Sequence, residues 1–391
     1  MSVTAAAGFV AAGVACGIKP SGAADLALVA TEDGRPVSVA AVFTTNRATA
    51  APVLVSRDHL TVTRGRAAAV VLNSGCANAA TGAAGRADAE ETCALVAGRL
   101  GCGRDEVLVC STGLIGYRLP MDAVRSGVGP LVAARSVEGG EAAAHAILTT
   151  DTVDKQVVVT GRTADGHFTV GGMAKGAAML APNMATMLAV LTTDALVDPV
   201  DLKAILVDAV ADTFNLLLVD GATSTNDTVI LLASGRAGAI EPAALDGPLR
   251  ETCAALAAAM ASDAEGATRV ARIQLTGAVS VDEARAAARA VAGSQLVQCS
   301  LHGGDPYWGR IVSELGSAGV AFDPDRVSVD YGGHRVCEGG VAVDHDVAAV
   351  AQHMAGRDVV VTADLGLGSG AATVLTTDLG PGYIAENMGT S

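Results

Sequence analysis

The residues with the most chemical potential lie between Gly171 and Ala195, in GGMAKGAAMLAPNMATMLAVLTTDA. Glycine-containing turns at Gly171-Gly172 and Gly176, a lone lysine (Lys175) and Pro182 lead into Met184-Ala185-Thr186-Met187-Leu188. The chain then runs apolar through Leu191 and turns polar at Thr192-Thr193-Asp194. The run from Thr186 to Leu191 is short, apolar after its first residue and bounded by turn residues, which predicts a buried strand opening at Thr186. A threonine hydroxyl is a weak nucleophile until a base takes its proton. The α-amino group of the same residue can be that base once the preceding peptide bond is cut. Its unperturbed pKa of about 8 lies close to working pH, where a general base is most useful. Taken alone, the segment is equally well read as a strand threonine bonded to backbone.

Other stretches carry groups that such a nucleophile needs. Glu106 to Cys110 reads as a strand that stops at Ser111-Thr112-Gly113. A strand ending there can turn a hydroxyl and backbone N–H groups toward a developing negative charge. One oxyanion donor is worth about 3 kcal/mol of barrier. Lys175 stands in a long uncharged stretch, since the next charge is Asp194, and such a cation suits an amino-acid carboxylate; an ordinary solvated lysine is the alternative. Asn73 to Gly82 reads as a polar, glycine-punctuated loop, and Asp220 to Thr228 gathers hydroxyl and carboxamide groups in another. Either set could merely satisfy turn backbone. His302-Gly-Gly-Asp-Pro-Tyr-Trp-Gly-Arg310 pairs His, Asp and Arg, but its glycines, proline and the chain's single Trp read as a rigid loop placed by packing. Asp364-Leu-Gly-Leu-Gly-Ser-Gly370 superficially suggests a dinucleotide loop, yet strand-like residues follow where the fingerprint requires a helix.

The elements that must position these residues are strands and helices in mixture. Strands are predicted at Ala27–Ala30, Ser38–Phe43, Arg64–Leu72, Leu216–Val219 and 272–275, with residues 1–56 read as short apolar runs between turns. Helices are predicted at Ala84–Leu100, Glu141–Leu148, Pro199–Phe214, Ala243–Met260 and Val281–Ala292. Half of the 391 residues are hydrophobic and only 3% aromatic, so the core must be packed from Ala, Val and Leu. Glycine, 46 residues, exceeds the usual level of about 7% and clusters beside polar residues.

A net charge of −15 argues against nucleic acid or an anionic membrane as partner. No apolar run reaches the roughly 18 residues needed to span a bilayer. Val3 to Cys16 lacks the positive flank of a signal peptide and reads as the first folded segment. The eight cysteines form no CxxC pair and share no ligand spacing with the histidines. They read as small buried hydrophobes of a cytoplasmic protein, with neither metal nor disulfide framework expected.

Asn-Ser-Gly at Asn73, Ser-Thr-Gly at Ser111, Thr-Thr-Asp-Thr ending at Thr152, Lys-Gly at Lys175, Met-Ala-Thr-Met-Leu around Thr186, Ser-Asp-x-Glu-Gly around Glu265 and His-Gly-x-Asp-Pro at His302 follow one another in order. That ordered set resembles the ornithine acetyltransferase (glutamate N-acetyltransferase) family of arginine biosynthesis, from the loop at Asn73 to the terminus. The resemblance implies that the protein cuts its own Ala185–Thr186 bond, giving an α chain of 185 residues and a β chain of the remaining 206. Thr186, then amino-terminal, would carry the acetyl group from N2-acetylornithine to glutamate, with Thr112 and Gly113 holding the oxyanion.

By the same resemblance Thr152, Lys175, Glu265, Asn387 and Ser391 contact substrate, along with Thr186. Ala264 and Arg269 stand where the family has glycine and lysine, and the end is one residue shorter than its pattern at Ser391. The implied fold is α/β: a layered sheet-and-helix domain over residues 1–271 bearing the nucleophile, and a smaller C-terminal α/β domain over 272–391. No cofactor is implied, although acetyl-CoA is possible as a second acetyl donor, and the implied assembly is a heterotetramer of two α and two β chains. A self-cleaving amidase or aminopeptidase, in which water takes the acyl group, and a non-enzymatic metabolite-binding protein are the alternatives.

Overall fold

The computed structural model describes residues 2–164, 166–179 and 187–389. Ala185, Thr186 and Ser391 therefore lie outside the described residues. The chain divides into two compact units. The first takes the described residues up to 179 together with 187–215 and 222–260; the second takes 216–221 and 261–389.

The first unit is built from strands β1 (Phe9–Val14), β2 (Leu26–Thr31), β3 (Val37–Phe43), β4 (Arg66–Ala67), β5 (Ala69–Cys76), β6 (Val107–Leu114), β7 (Lys155–Thr163), β8 (Gly166–Lys175) and β9 (Leu188–Leu196). After β10 (Leu217–Leu218), which belongs to the second unit, β11 (Thr228–Ala239) completes the set. Its helices are α1 (Ala51–Thr63), α2 (Gly82–Leu100), α3 (Met121–Ala133), α4 (Gly140–Ala146), α5 (Pro199–Ala211) and α6 (Ala243–Ser262).

These strands form a four-stranded sheet, in order β1-β2-β5-β6, and a six-stranded sheet, in order β4-β3-β11-β9-β8-β7. One apolar cluster joins the inner faces, with Val29, Val70, Leu72 and Leu108 from the first sheet and Val39, Met173, Val190 and Ile230 from the second. A second cluster packs Val55, Val96, Val124 and Leu131 of α1, α2 and α3 on the outer face of the four-stranded sheet. α5 lies against β3, and α6 packs through Thr252 and Leu256 around Gly172. The unit is thus layered helix–sheet–sheet–helix. Within the larger sheet β9 and β11 run parallel to each other, with β3 antiparallel beyond β11 and β8 antiparallel beyond β9.

The second unit carries a seven-stranded sheet of order β10-β17-β12-β16-β13-β14-β15, using β12 (Val270–Ala278), β13 (Ser328–Tyr331), β14 (His334–Glu338), β15 (Val341–Ala342), β16 (Asp358–Asp364) and β17 (Gly370–Thr377). Helices α7 (Val281–Gly293), α8 (Gln295–Gly303), α9 (Trp308–Ser317), α10 (Val347–Ala355) and α11 (Pro381–Glu386) accompany it. Ile273, Leu275, Val291, Leu315 and Val361 are part of its own core. Ser280 and Ser294 cap α7 and α8 through their side chains, supplying acceptors to N–H groups that the helices leave unpaired. Both units mix strands and helices as expected, and no helix among the described residues is long and apolar enough to cross a membrane.

All five expected helices form, but several boundaries move. Gly171 and Gly172 lie inside β8 rather than at turns. A Cβ on Gly171 would stand 2.2 Å from the Ser2 carbonyl oxygen, so close backbone approach explains that glycine. β9 starts at Leu188 and continues through Thr192-Thr193-Asp194, which were expected to end it. Those polar groups are satisfied internally: Thr192 Oγ1 donates to Val3 O at 2.7 Å, and Asp194 accepts from Thr169 N at 2.7 Å. β5 runs on through Asn73-Ser74-Gly75-Cys76, and β6 through Ser111-Thr112-Gly113, so neither strand stops at its polar residues. α1 begins at Ala51, within a stretch read as short runs and turns. Of the cysteines, Cys76, Cys93, Cys110, Cys253 and Cys337 are buried, Cys16 and Cys102 half-buried and Cys299 exposed, so the buried-hydrophobe reading fits only the first five.

Candidate active site

Polar groups collect where strands of both sheets of the first unit end. β5 and β6 run parallel in a register that pairs Asn73 with Ser111, Ser74 with Thr112 and Gly75 with Gly113. Ser111 Oγ donates to Asn73 Oδ1 at 2.5 Å, and Asn73 Nδ2 donates to Cys76 O at 2.8 Å. Asn73 thus ties the two strand ends together. Thr112 is buried. Gly75 and Gly113 both take positive φ, at 100° and 126°. A Cβ on Gly113 would lie 2.4 Å from the Gly75 carbonyl carbon, so only glycine lets the backbones approach this closely.

A carboxamide crosses from this end to the larger sheet. Asn226, just before β11, donates from Nδ2 to Ser111 O at 2.9 Å and to Ala77 O at 2.7 Å. Thr225 Oγ1 donates to Asn226 Oδ1 at 2.6 Å, leaving no amide atom of this buried side chain idle. In the larger sheet, Leu188 pairs with Lys175 on one side and Thr228 on the other, so the ends of β8, β9 and β11 lie level. Asp227, the residue before Thr228, accepts from the Met187 N–H at 2.9 Å through Oδ1.

Lys175 is buried, not solvated. Its Nζ donates to Thr149 Oγ1 at 2.5 Å and lies 3.3 Å from Asp151 Oδ2. Lys155 Nζ lies 2.7 Å from Asp151 Oδ1 and donates also to Val153 O at 3.1 Å. The Gly176 N–H donates to Asp151 Oδ1 at 2.7 Å and the Thr149 N–H to Oδ2 at 3.2 Å. Burial opposes ionisation of Asp151, but the Lys175 and Lys155 charges and these donors outweigh it and hold the carboxyl below the usual carboxylate range. Two ammonium groups meet this carboxylate. Burial lowers the pKa of Lys19, and the Lys175 charge adds to that effect. Thr152 follows this cluster directly and is exposed.

Glu265 and Asn387 lie in the second unit. Asn387 Nδ2 donates to Glu265 Oε2 at 2.9 Å and to Tyr383 O at 2.9 Å. Gly266 has φ 66°, and a Cβ there would stand 2.1 Å from Tyr383 N, so the C-terminal helix rests on bare backbone beside Glu265. Arg269 donates to His302 O at 2.6 Å and Met354 O at 2.9 Å. His302 Nδ1 lies 2.7 Å from Asp378 Oδ2, which also accepts from Thr268 Oγ1. The His302 motif is therefore tied into the scaffold, although His302 and Trp308 sit on α8 and α9 rather than in one rigid loop.

Thr112, Gly113 and Lys175 are thus gathered at strand ends of the first unit, and Glu265 with Asn387 at one place in the second. Asp151, Asn226 and Asp227 lay within stretches noted in the sequence without being picked out individually, and Lys155 was not noted. Their signal was there: each is a polar or charged residue beside an apolar strand, where burial demands a partner.

The ArgJ family model matches residues 10–389, and the chain belongs to that family. It is 51% identical to the arginine biosynthesis bifunctional protein ArgJ of Mycolicibacterium paratuberculosis, over 98% of this chain and 95% of that one. It is 49% identical to the protein of the same name from Thermobifida fusca, over 99% of both. Among solved structures, it is similar to the ornithine acetyltransferase of Mycobacterium tuberculosis complexed with ornithine. That match has 51% identity and a TM-score of 0.43, and covers 48% of this chain and 96% of that one.

Proposed function

We propose that the chain moves the acetyl group of N2-acetylornithine to glutamate through an ester on Thr186, after cutting its own Ala185–Thr186 bond. Membership in the ArgJ family, with relatives named for arginine biosynthesis, supports the reaction class. One observation favours this site above others: Leu188, two residues past Thr186, pairs with Lys175 and Thr228 on the strands either side, Met187 is bonded to Asp227 and Thr228, and Asn226 links that edge to the Thr112 strand.

In self-cleavage Thr186 Oγ attacks the Ala185 carbonyl carbon, the peptide C–N bond breaks, and the hydroxyl proton passes to the Thr186 nitrogen. Water then hydrolyses the ester, freeing the Thr186 amine and the Ala185 carboxylate. In turnover that amine takes the Oγ proton as Oγ attacks the acetyl carbonyl, and returns it to the departing ornithine nitrogen. Thr112 and Gly113 steady the negative oxygen. The glutamate amine then attacks the acetyl ester, the C–Oγ bond breaks, and Oγ regains a proton.

Lys175 and Thr152 are assigned to substrate in the first unit, and Glu265 and Asn387 in the second. Ser391 is assigned to substrate with them. The word bifunctional in the relatives' name supports acetyl-CoA as a second donor. The working form is an α2β2 assembly in the cytoplasm.

Replacing Thr186 by Ala should leave one chain of 38.7 kDa by denaturing mass measurement and abolish acetylglutamate formation. A cut Thr186→Ala chain, or an unaltered chain that is active while uncut, overturns the reading. Acetate release that does not need glutamate would replace transfer with hydrolysis.

A further inference from the structure

One buried carboxyl at this strand edge has no part in the reaction just described. Asp227 is fully buried. Its Oδ1 accepts the Met187 N–H, while its Oδ2 is buried with no hydrogen-bond partner among the described residues. We propose that Asp227 is a positioning residue for the nucleophile: it clamps the Met187 amide, whose nitrogen is bonded to the carbonyl carbon of residue 186. The proposal rests on Thr186 being that nucleophile.

The clamp belongs to a run of three consecutive residues that together set one distance. Asn226 reaches the Ser111 carbonyl, one residue before Thr112. Asp227 holds the Met187 N–H, and the Thr228 N–H donates to Met187 O at 3.1 Å. Residue 187 is therefore gripped through both its amide and its carbonyl. The run is fixed in turn: the Thr44 N–H donates to Asp227 O at 2.9 Å, and Thr44 Oγ1 donates to Ser224 O at 2.7 Å. Three successive side chains or amides thus relate the Thr112 strand to the chain immediately after the nucleophile. A displacement of about 1 Å in such a site costs roughly 100-fold in rate.

The carboxyl works as a neutral acid. A carboxylate oxygen buried without a donor is costly, and burial pushes Asp227 well above the usual carboxylate range. The Met187 N–H, the nearby Ser224 hydroxyl and the charge of Lys175, at the end of β8, oppose that without overcoming it. Asparagine reproduces this state, keeping a carbonyl oxygen for Met187 and replacing O–H by N–H.

The test compares Asp227→Asn and Asp227→Ala in the full chain, with Thr186→Ala alongside, by denaturing mass and steady-state kinetics. Asp227→Asn should cut itself and turn over within about threefold of the unaltered chain. Asp227→Ala should fall about 100-fold in kcat, with KM within about threefold. An Asp227→Ala chain cut and active within about threefold overturns the proposal. So does a folded Asp227→Asn chain as impaired as expected for alanine, and that result decides the matter alone if Asp227→Ala does not fold. Activity in Thr186→Ala would instead remove the nucleophile reading itself.

Discussion

Replacing Asp151 by Asn tests whether the buried charge cluster is a unit. The substitution preserves shape and one carbonyl oxygen but removes the negative charge that both Lys155 and Lys175 contact, whose side chains are 0% and 3% exposed. Breaking a buried ion pair from one side costs about 3–5 kcal/mol, because the remaining charge stays buried without compensation. The amide oxygen of the new side chain can still accept from Lys155 or Gly176, which places the expected loss near the lower bound, about 3 kcal/mol. At about 2–4 °C per kcal/mol for a unit of this size, the melting temperature should fall by about 6–12 °C. Because the Asp151 carboxyl is held below its ordinary range, its contribution is present above the unfolded value of about 4 and is lost as pH falls through the folded value. The gap between the two proteins should therefore narrow in acid. The chain's one tryptophan, Trp308, sits in the second unit, so circular dichroism or calorimetry must follow the melt, not intrinsic tryptophan fluorescence. Asp122→Asn, at a fully exposed carboxylate, serves as control and should shift the melt by less than about 2 °C. An Asp151→Asn chain that melts within about 2 °C of the unaltered one at neutral pH refutes the reasoning.

Two further substitutions test the strand ends. Gly113→Ala must place a methyl group 2.4 Å from the Gly75 backbone at φ 126°. It should destabilise by about 1–3 kcal/mol in urea titration and reduce kcat, since the strand ends must separate. Asn226→Ala removes the donor to Ser111 O and Ala77 O. It should cost about 1–3 kcal/mol by the same measurement, and retention of full stability would show that water replaces the amide without loss.

Periodicity revealed the helices because their apolar spacing is local: α2, α5, α6 and α7 all lie close to the stretches read from sequence. The strands bearing the site were misjudged for one physical reason. Thr192, Thr193, Asn73, Ser111 and Thr112 are polar, and polarity at the end of an apolar run reads as a turn. Here it is buried polarity, and some of it is answered by partners far along the chain, such as Val3 for Thr192 and Asn73 for Ser111. Gly171-Gly172 misled similarly, because a glycine needed for close approach looks the same in sequence as one needed for a bend. Thr112, Gly113 and Lys175 stood out in the sequence by residue type and setting. That Lys175 is matched by Asp151 could not, since 24 positions separate the two and no periodic pattern joins them.

The order of strands in the larger sheet bears on how two chains divided at 185/186 would have to be made. β9 and β11, which come after the 185/186 junction, lie between β3 and β8, which come before it. A nick at the junction would leave both pieces woven through a single hydrogen-bonded layer, travelling as one particle on a native column and parting only in denaturant. Either piece synthesised alone would present unpaired strand edges, which invite aggregation. Separate genes for the two pieces would therefore be a poor substitute for one precursor, folded first and divided afterwards.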